Sequence, residues 1–398
     1  MKPEEILPGV FWVGALHPDL RLFDDLFPTR SGTSYNSYLL GGQSPVLIDT
    51  VKAPFAEVLL GHLRQHLEPA DLKYIVCNHA EPDHSGTLAR LLDEAPEATV
   101  LGTRPVGMFL KELLNRDFPF RAVSDGEELD LGGGRKLVFV TAPFLHWPDT
   151  MFTYLPEHQA CFTCDAFGAH FCPHGGLWAE DNPDYVDDQK IYYDCLVRIY
   201  SANVREAFEK VADVPIRYVL PSHGPLLRAE QMKKTLERYA AWSALPSKGE
   251  APVIGIVYLS AHGNTARMAE AVAEGVREAG GEPEFAHWSE KSEDEVVAVY
   301  QRADALAVGT PTINRDVPFP MWKTLALMSL SSLPRRKIAG YFGSYGWSGE
   351  AAGLVESRLA GIGYRFPAES VRCRFAPTPE DLARCRELGK ALVEAAAT

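Results

Sequence analysis

The chain has 398 residues, a length that suits two domains better than one. With 46% hydrophobic and 23% charged residues it has the composition of an ordinary globular protein, and it contains no run of the roughly 18 apolar residues that a membrane helix needs. A formal net charge of -14 argues against a nucleic-acid partner, because phosphate backbones are bound by an excess of Lys and Arg.

The N-terminus and the cysteines indicate the compartment. The first residues, MKPEEILPGVFWVG, are acidic and lack the basic start and apolar stretch of a signal peptide, so we expect a cytoplasmic protein. Seven scattered cysteines favour reduced thiols over a disulfide framework. Cys161 and Cys164 form a CxxC, but no second CxxC follows at rubredoxin or zinc-ribbon spacing, and we expect a structural or incidental role for the pair.

Short apolar runs rich in Val, Ile, Leu and Tyr recur through the first half and predict strands at 38–40, 46–48, 74–77, 100–101, 137–140 and 218–220. Helical patterns such as 55–67 and 87–94 lie between them, so we predict mixed α/β layers. Several runs end in polar residues, namely Asp49, His79 and His223. Reactive groups just beyond strand ends indicate a site along one sheet edge.

The composition changes to linker residues at 246–252 (PSKGEAP), and we predict two domains, 1–249 and 250–398. Beyond the linker, strand-like runs at 253–259, 305–308 and 337–342 alternate with helical patterns at 265–279, 294–302, 351–361 and 379–396. This alternation is typical of a doubly wound parallel sheet.

The most informative motif is Cys-Asn-His79-Ala-Glu81-Pro-Asp83-His84, which places four potential metal ligands within six residues at the end of an apolar run. Ionisable side chains packed this closely are unusual for a core or a plain turn, so the cluster predicts a dinuclear metal site. Glu81 stands where the HxHxDH pattern of a zinc hydrolase has its second histidine. The donor set is therefore richer in hard oxygen, which favours iron and redox chemistry over hydrolysis.

Two metal ions need further ligands, and the candidates are His146 in FLHWPD, Asp165 in TCDAFG and His223 in LPSHGP. Each taken alone would be interpreted as an ordinary turn residue, which is the commoner role of a lone His or Asp after a strand. Glu81, Asp83 and Asp165 would bring three negative charges to the four positive charges of two divalent ions, and a bridging hydroxide would complete the balance. Asp165, with two oxygens on a short stem, is the natural bridging carboxylate.

A second group of motifs lies in the second half. Strand 253–259 leads into a loop and helix with the residues Ser260, His262, Gly263, Asn264 and Thr265. Hydroxyls, a glycine and backbone N–H groups at a helix N-terminus can hold a phosphate, although an N-cap with a turn glycine has the same pattern.

Two more loops follow predicted strands and strengthen the cofactor interpretation. They contain Pro311, Thr312, Ile313 and Asn314, and then Ser344, Tyr345, Gly346, Trp347 and Gly349. In a doubly wound sheet such loops meet at the carboxyl ends of neighbouring strands, where ligands bind. Tyr345 or Trp347 could stack on an isoalloxazine ring, and the glycines would allow the backbone to approach it. The absence of GxGxxG favours a mononucleotide over FAD or NAD.

Taken together, the motifs resemble those of the flavodiiron proteins. The HAEPDH motif followed by His146, Asp165 and His223 is similar to the metallo-β-lactamase-like domain of that family, and the SxHGNT loop is similar to the TxTGxT of flavodoxin. The resemblance implies an α/β chain in which a metallo-β-lactamase-like αββα sandwich precedes a flavodoxin-like doubly wound parallel sheet. Its implied cofactors are two iron ions and FMN.

The resemblance also implies a ligand arrangement. One iron would be held by His79, Glu81 and His146, the other by Asp83, His84 and His223, with Asp165 bridging. The position of His84 is sometimes outside the coordination sphere in this family. Trp147, His170 and Tyr193 are expected to contact the ligands.

The activity implied is reduction of dioxygen to water, of nitric oxide to nitrous oxide, or of both. Electrons would reach FMN from a rubredoxin-like donor, and a head-to-tail homodimer would set the flavin of one chain beside the iron site of the other. The chain resembles the minimal two-domain type, and the preferred gas is left open.

Two other functions are compatible with parts of the pattern. A dinuclear-metal hydrolase of the glyoxalase II or lactamase type with a regulatory flavodoxin domain would contain two zinc ions, but Glu81 argues against it. A pure electron carrier with a degenerate metal domain would contain flavin and no iron, but every ligand position is filled.

Overall fold

The structure, a computed structural model, describes residues 2–244, 251–328 and 337–397. The chain divides into two compact units, Met1–Ala244 and Leu245–Thr398. The boundary predicted near residue 250 falls in 245–250, outside the described residues. In the three described ranges, every helix is too short or too polar to cross a lipid bilayer. All seven cysteines are free thiols, as predicted.

The first unit is built from short strands and helices. Its strands are β1 (Glu4–Leu7), β2 (Val10–Trp12), β3 (Ala15–His17), β4 (Leu22–Phe23), β5 (Phe27–Pro28), β6 (Thr33–Tyr35), β7 (Tyr38–Leu40), β8 (Val46–Ile48), β9 (Tyr74–Val76), β10 (Thr99–Gly102), β11 (Phe120–Ala122), β12 (Glu128–Gly132), β13 (Arg135–Thr141), β14 (Met151–Leu155), β15 (Ala160–Cys164), β16 (Tyr218–Pro221) and β17 (Leu227–Arg228). Its helices are α1 (Ala56–Leu63), α2 (Pro82–Ser85), α3 (Leu88–Glu94), α4 (Arg104–Leu114), α5 (Tyr185–Tyr192), α6 (Ser201–Val211) and α7 (Ala229–Ser243). A π-helical segment, Tyr193–Val197, continues α5.

Two large sheets organise this unit. Within the described residues, one sheet has seven strands in the order β1-β2-β7-β8-β9-β10-β11, and the other has six in the order β12-β13-β14-β15-β16-β17. Strands β8 to β11 are parallel, whereas the six-stranded sheet is antiparallel except where β15 pairs with β16. The small pairs β3–β6 and β4–β5 lie outside both sheets.

The central strands β7, β8 and β9 of the seven-stranded sheet are apolar on both faces because both faces are covered there. Tyr38, Leu40 and Ile48 pack in a core shared with Phe139 and Phe162 of the other sheet. The alternate residues, among them Leu39, Leu47 and Ile75, pack with α1, α3 and α4. Helices α5, α6 and α7 cover the outer face of the six-stranded sheet. The unit is therefore the αββα sandwich that the sequence predicted.

The second unit is a parallel sheet covered on both faces. Its strands are β18 (Val253–Tyr258), β19 (Glu282–His287), β20 (Ala305–Gly309), β21 (Ala339–Tyr345) and β22 (Val371–Arg374), and its helices are α8 (Asn264–Glu278), α9 (Glu293–Arg302), α10 (Phe319–Leu327), α11 (Glu350–Gly361) and α12 (Pro379–Ala397). The strand order is β19-β18-β20-β21-β22, with every pair parallel. Ile256 packs with α8 and α12, while the adjacent Val257 packs with α9, α10 and α11. This confirms the doubly wound sheet.

Candidate metal centre and cofactor loops

The seven predicted metal ligands of the first unit converge at the ends of strands from both large sheets. Three of their segments follow strands directly: His79 comes after β9, Asp165 after β15 and His223 after β16. His146 lies in the loop between β13 and β14. The remaining three, Glu81, Asp83 and His84, lie at or within the short helix α2, which begins at Pro82.

His79, Glu81 and His146 form the first donor group. Glu81 Oε2 lies 3.1 Å from His79 Nε2 and 3.2 Å from His146 Nε2. The same two imidazole nitrogens lie 3.7 and 3.8 Å from Asp165 Oδ2. Four side-chain donors therefore face one point.

Asp83, His84 and His223 form the second group. Asp83 Oδ2 lies 2.9 Å from His223 Nε2, and Asp83 Oδ1 lies 3.3 Å from His84 Nε2. Asp165 Oδ1 is 3.1 Å from His84 Nε2 and 3.5 Å from His223 Nε2. The two oxygens of Asp165 thus face different groups, which is the geometry of a bridging carboxylate.

Charges of both signs stabilise each other in this buried site. Burial opposes the charged form of His79, but hydrogen bonds with Asp149 and Glu81 hold its pKa well above the usual value. Burial likewise opposes charge on His84, yet Asp165 and Asp83 raise its pKa to about 10. Burial would raise the pKa of Asp165, but His84 and the other imidazoles hold it well below the usual value. The site is thus built to hold carboxylates together with compensating positive charge.

Two imidazole rings are oriented by hydrogen bonds on their far sides. Asp149 Oδ1 accepts a hydrogen bond from His79 Nδ1 at 2.9 Å, and the carbonyl of Ser34 accepts one from His223 Nδ1 at 2.6 Å. Both contacts leave Nε2 pointing into the site. Asp149 was not predicted as a site residue, although it is the Asp of the FLHWPD motif and its signal was therefore present.

The prediction for Tyr193 is wrong, because its neighbour Tyr192 contacts the site instead. Tyr192 donates a hydrogen bond to Asp165 Oδ1 at 2.8 Å, whereas Tyr193 Oη lies within hydrogen-bonding distance of Ser201 and Ser243, at 3.1 and 2.8 Å. Consecutive side chains on a helix point about 100° apart, so only one of the pair can face the ligands.

Trp147 and His170 contact metal-ligand residues, as was expected from the sequence. The Trp147 ring is 4.9 Å from the His79 ring, and the His170 ring is 5.2 Å from the His223 ring. Burial, reinforced by the charge of His223, lowers the pKa of His170 well below its usual value. His170 is therefore a neutral neighbour of the ligands, and its ring also stacks on Phe23 at 4.0 Å.

Cys164 is a further donor that the sequence argument did not place at the site. With His84 and Asp165 it forms a third possible ligand set, and its Sγ lies 3.6 Å from Asp165 Oδ2. Burial, together with the charges of Asp165 and Asp49, raises the pKa of this thiol well above its usual value. Since metals bind the thiolate, Cys164 is a poor ligand here.

The donors fit two metal ions. Within each of the groups His79, Glu81, His146, Asp165 and Asp83, His84, His223, the ligand atoms lie within 4.8 Å of one another. Asp83 Oδ1 is buried and accepts no hydrogen bond, so it keeps a free lone pair for a cation. Imidazole and carboxylate together, with no thiolate, suit iron.

The predicted cofactor loops of the second unit also come together. They follow β18, β20 and β21, which are adjacent strands of the parallel sheet. Thr265 Oγ1 lies 3.3 Å from Ser344 Oγ, and the N–H of Thr312 donates to the carbonyl of Ser344 at 3.1 Å. Ser344 therefore joins the three loops at the carboxyl edge of the sheet.

The first of these loops has the features of an anion site. Gly263 has φ 77°, a left-handed conformation that favours glycine, and helix α8 starts at the next residue. Ser260 Oγ accepts a hydrogen bond from the N–H of Ala266 at 3.1 Å. The remaining N–H groups of the first turn have no acceptor within the helix, so they are available to a phosphate.

The other two loops expose aromatic and apolar surface. Trp347 is 75% exposed and Ile313 is 42% exposed, while Tyr345 is partly buried. Asn314 has φ 52°. A flat ring bound between these loops would cover the exposed Trp347. The loops thus fit a phosphate-bearing cofactor with a planar ring.

Comparisons with known proteins agree with both halves. The sequence model of the ODP family beta lactamase matches residues 33–224, and the flavodoxin model matches residues 256–389. The flavo-diiron protein FprA2 of Clostridium acetobutylicum is 34% identical over 398 residues, which cover 98% of each chain. A nitric oxide reductase of Moorella thermoacetica is 34% identical over 397 residues, which again cover 98% of each chain. The solved structure of rubredoxin oxygen:oxidoreductase from Desulfovibrio gigas superposes with a TM-score of 0.71 at 27% identity, covering 100% of this chain and 99% of that one.

Proposed function

The chain belongs to the flavodiiron protein family, and from this premise we propose that it reduces dioxygen, nitric oxide or both at a diiron site that receives electrons through FMN. The observation that carries the proposal is the position of Asp165, whose two oxygens face two separate groups of imidazoles and carboxylates. Similarity to a nitric oxide reductase and to a rubredoxin oxygen:oxidoreductase supports an oxidoreductase of this kind.

The ligand assignment follows the two donor groups. His79, Glu81 and His146 would hold one iron, Asp83, His84 and His223 the other, and Asp165 would bridge them. The inward position of His84 Nε2, 3.1 Å from Asp165 Oδ1, supports counting it as a ligand. Reducing dioxygen to water takes four electrons, of which a diferrous site and a reduced FMN would each supply two.

The surrounding residues orient the ligands and keep water out. Asp149 holds the His79 ring in the orientation in which Nε2 faces the site, and the carbonyl of Ser34 does the same for His223. Tyr192 donates its hydroxyl proton to a hydrogen bond with Asp165, which stabilises the charged carboxylate. His79, His84, Asp165 and His223 are each at most 1% exposed, so their charges interact in a medium of low dielectric constant.

The three loops of the second unit would hold FMN. The N-terminus of α8, with Ser260, His262, Gly263, Asn264 and Thr265, would bind the phosphate. Segments 311–314 and 344–349 would contact the ring system, with Tyr345 or Trp347 stacking on it. This position at the carboxyl edge of a doubly wound sheet is the usual ligand site of the fold.

The partners are part of the same proposal. A rubredoxin-like protein is the proposed electron donor, which the similarity to the Desulfovibrio gigas protein supports. A head-to-tail homodimer remains a prediction from the family resemblance, and a cytoplasmic location remains a prediction from the sequence. The net charge of -14 agrees with a function that involves no nucleic acid.

The experiment is anaerobic purification of the full chain, followed by metal and flavin analysis and by assays of dioxygen and nitric oxide with one reduced rubredoxin as donor. We expect iron and FMN in the purified protein and turnover of at least one gas. Asp165→Ala should abolish turnover while FMN stays bound. Two zinc ions with thioester hydrolysis would instead support the hydrolase, and flavin without iron would support an electron carrier.

A further inference from the structure

A cavity of about 210 Å³ lies within the first unit, between the six-stranded sheet and helices α6 and α7. Phe152 of β14 and Val219 of β16 form its floor, Phe208 and Val211 of α6 form one side, and Leu236 of α7 closes the other. A water molecule occupies about 30 Å³ in the liquid, so the space is large enough for several small molecules. We refer to it as the α6–α7 cavity.

The lining of the α6–α7 cavity offers few hydrogen bonds to water. Its polar side chains are Cys161 and Thr163. Thr163 Oγ1 already donates to the carbonyl of Ala166 at 2.8 Å, and burial raises the pKa of the Cys161 thiol to about 12, so this thiol is neutral. An apolar cavity of roughly 150 Å³ can bind apolar guests such as benzene or xenon.

The inner end of the α6–α7 cavity approaches the candidate metal centre. A second, smaller cavity of about 10 Å³ shares the walls Phe152, Phe167, Phe208 and Val211 with it. The smaller cavity is also lined by Leu145 and Ala166, which directly precede His146 and directly follow Asp165 in the chain. The two cavities are therefore neighbours, and the smaller one lies against residues adjacent to two metal ligands.

Phe167 lies in the wall that the two cavities share, two residues after Asp165. It lines both cavities, has φ 69°, and packs against the rings of Phe208 and Tyr239 at 5.8 and 4.7 Å. Its carbonyl accepts a hydrogen bond from Gln189 Nε2 at 2.8 Å, which fixes the turn that also carries Asp165.

The outer end of the cavity reaches solvent. Val211, Val214 and Ile216 are partly buried, and Ala212 is exposed, so the wall beyond the C-terminal end of α6 is accessible from outside. The two neighbouring cavities thus lie between this accessible wall and the residues next to His146 and Asp165.

We propose that the α6–α7 cavity binds a small apolar diatomic gas and admits it to the metal centre. The chemistry is common to dioxygen and nitric oxide, which are small, uncharged and more favourably placed in an apolar space than in water. This inference rests on the proposed function for the identity of the gas, whereas the capacity of the cavity for an apolar guest can be measured without it.

The test uses crystals of the full chain under xenon pressure together with gas kinetics. Val211→Phe would fill the cavity, because Val211 lines both spaces and its position at the rim leaves room for the larger ring. Val214→Phe is a second variant at the rim, in case the first fails to fold. Val58→Phe, on the outer face of α1 with Val58 40% exposed, is the matched control.

We expect xenon in the α6–α7 cavity of the wild type and of Val58→Phe, and none in Val211→Phe. We also expect kcat/KM for the gas to fall several-fold in Val211→Phe, with kcat at saturating gas, iron content and FMN content unchanged. An empty wild-type cavity, or an unchanged kcat/KM in both filled variants, would overturn the proposal. If the proposed function is wrong, the wild-type protein will consume neither gas, whether or not xenon binds in the α6–α7 cavity.

Discussion

Asp149 accepts a hydrogen bond from His79 Nδ1 at 2.9 Å, and both side chains are completely buried. A carboxylate can only accept, so Nδ1 carries the proton that points at Asp149, and Nε2 faces Glu81 and Asp165. The second oxygen of Asp149 accepts from the N–H of Ala80 at 2.8 Å, which holds the carboxylate in place. The pair therefore sets the orientation of a metal ligand before any metal binds.

We predict that Asp149→Ala lowers the affinity for ferrous iron roughly 10- to 100-fold, because His79 loses the contact that fixes its tautomer. Anaerobic iron titration measures this, and FMN content should not change. The Asp149→Asn side chain can still accept a hydrogen bond from His79 Nδ1, so this variant should lose less of its iron affinity. Asp117→Ala, at a side chain that is 97% exposed, is the control. Equal iron affinity in Asp149→Ala and the control would contradict the prediction.

Tyr192 and Tyr193 form a natural matched pair. Tyr192→Phe removes the hydrogen bond to Asp165, so we expect a several-fold slower gas reduction with iron and FMN retained. Tyr193→Phe removes hydrogen bonds to Ser201 and Ser243 and should cost about 1 kcal/mol in the free energy of unfolding without slowing turnover. Steady-state assays and thermal unfolding of both variants distinguish them, and equal turnover in the two would rule out a role for Tyr192.

His84 can be tested by the protons released on metal binding. Its pKa of about 10 in the metal-free protein means that His84 carries a proton at pH 8, and this proton must leave before Nε2 can bind a metal. We therefore predict that His84→Ala releases about one proton fewer per chain when iron binds. Anaerobic calorimetry in buffers of different ionisation enthalpy gives the number of protons released per iron-binding event.

The control for this measurement is His174→Ala, since the side chain of His174 is 64% exposed. A proton release that is the same in wild type, His84→Ala and His174→Ala would mean that His84 lies outside the coordination sphere.

Two glycines allow strain to be separated from cofactor binding. Gly263 and Gly280 have φ of 77° and 79°, and an added Cβ would meet no atom within 4 Å at either position. Alanine should cost about 1 kcal/mol in the free energy of unfolding at both sites, because L-residues disfavour this conformation. Only Gly263→Ala should also weaken FMN binding, as measured by flavin fluorescence titration. Equal FMN affinity in the two variants would remove Gly263 from the cofactor site.

The sequence predicted the candidate metal centre well because three of its seven ligands closely follow buried strands. A run such as β9, apolar on both faces, is recognisable as a strand, and the residue after it must lie at the sheet edge. His79, Asp165 and His223 all obey this rule. The common position of the three cofactor loops was predictable for the same reason, since parallel strands end at one edge.

The residues that orient the ligands were harder to predict. Asp149 and Tyr192 act through side-chain directions that depend on the path of a loop and the rotation of a helix, and neither follows from spacing alone. The error at Tyr193 is of this kind, because α5 passes into a π-helical segment at that residue, which changes the rotation of the following turn.

Edge strands were missed in the second unit. β19 reads EPEFAH and β22 reads VRCR, and both are rich in charged residues. Edge strands face solvent on one side and often carry charges that prevent further pairing, so they lack the apolar run that identified β18, β20 and β21. Their existence follows from completing the sheet rather than from their own sequence.

The central claim, gas reduction at the metal centre with electrons from FMN, is tested most directly by a single turnover of fully reduced protein. Wild type and Glu81→Ala, both with FMN bound, are reduced anaerobically and mixed with dioxygen or with nitric oxide while flavin oxidation and products are followed. We predict rapid flavin oxidation in the wild type with water or nitrous oxide as product, and loss of that phase in Glu81→Ala. Slow flavin oxidation that yields hydrogen peroxide from dioxygen, with no reaction with nitric oxide and equal rates in both proteins, would contradict the claim.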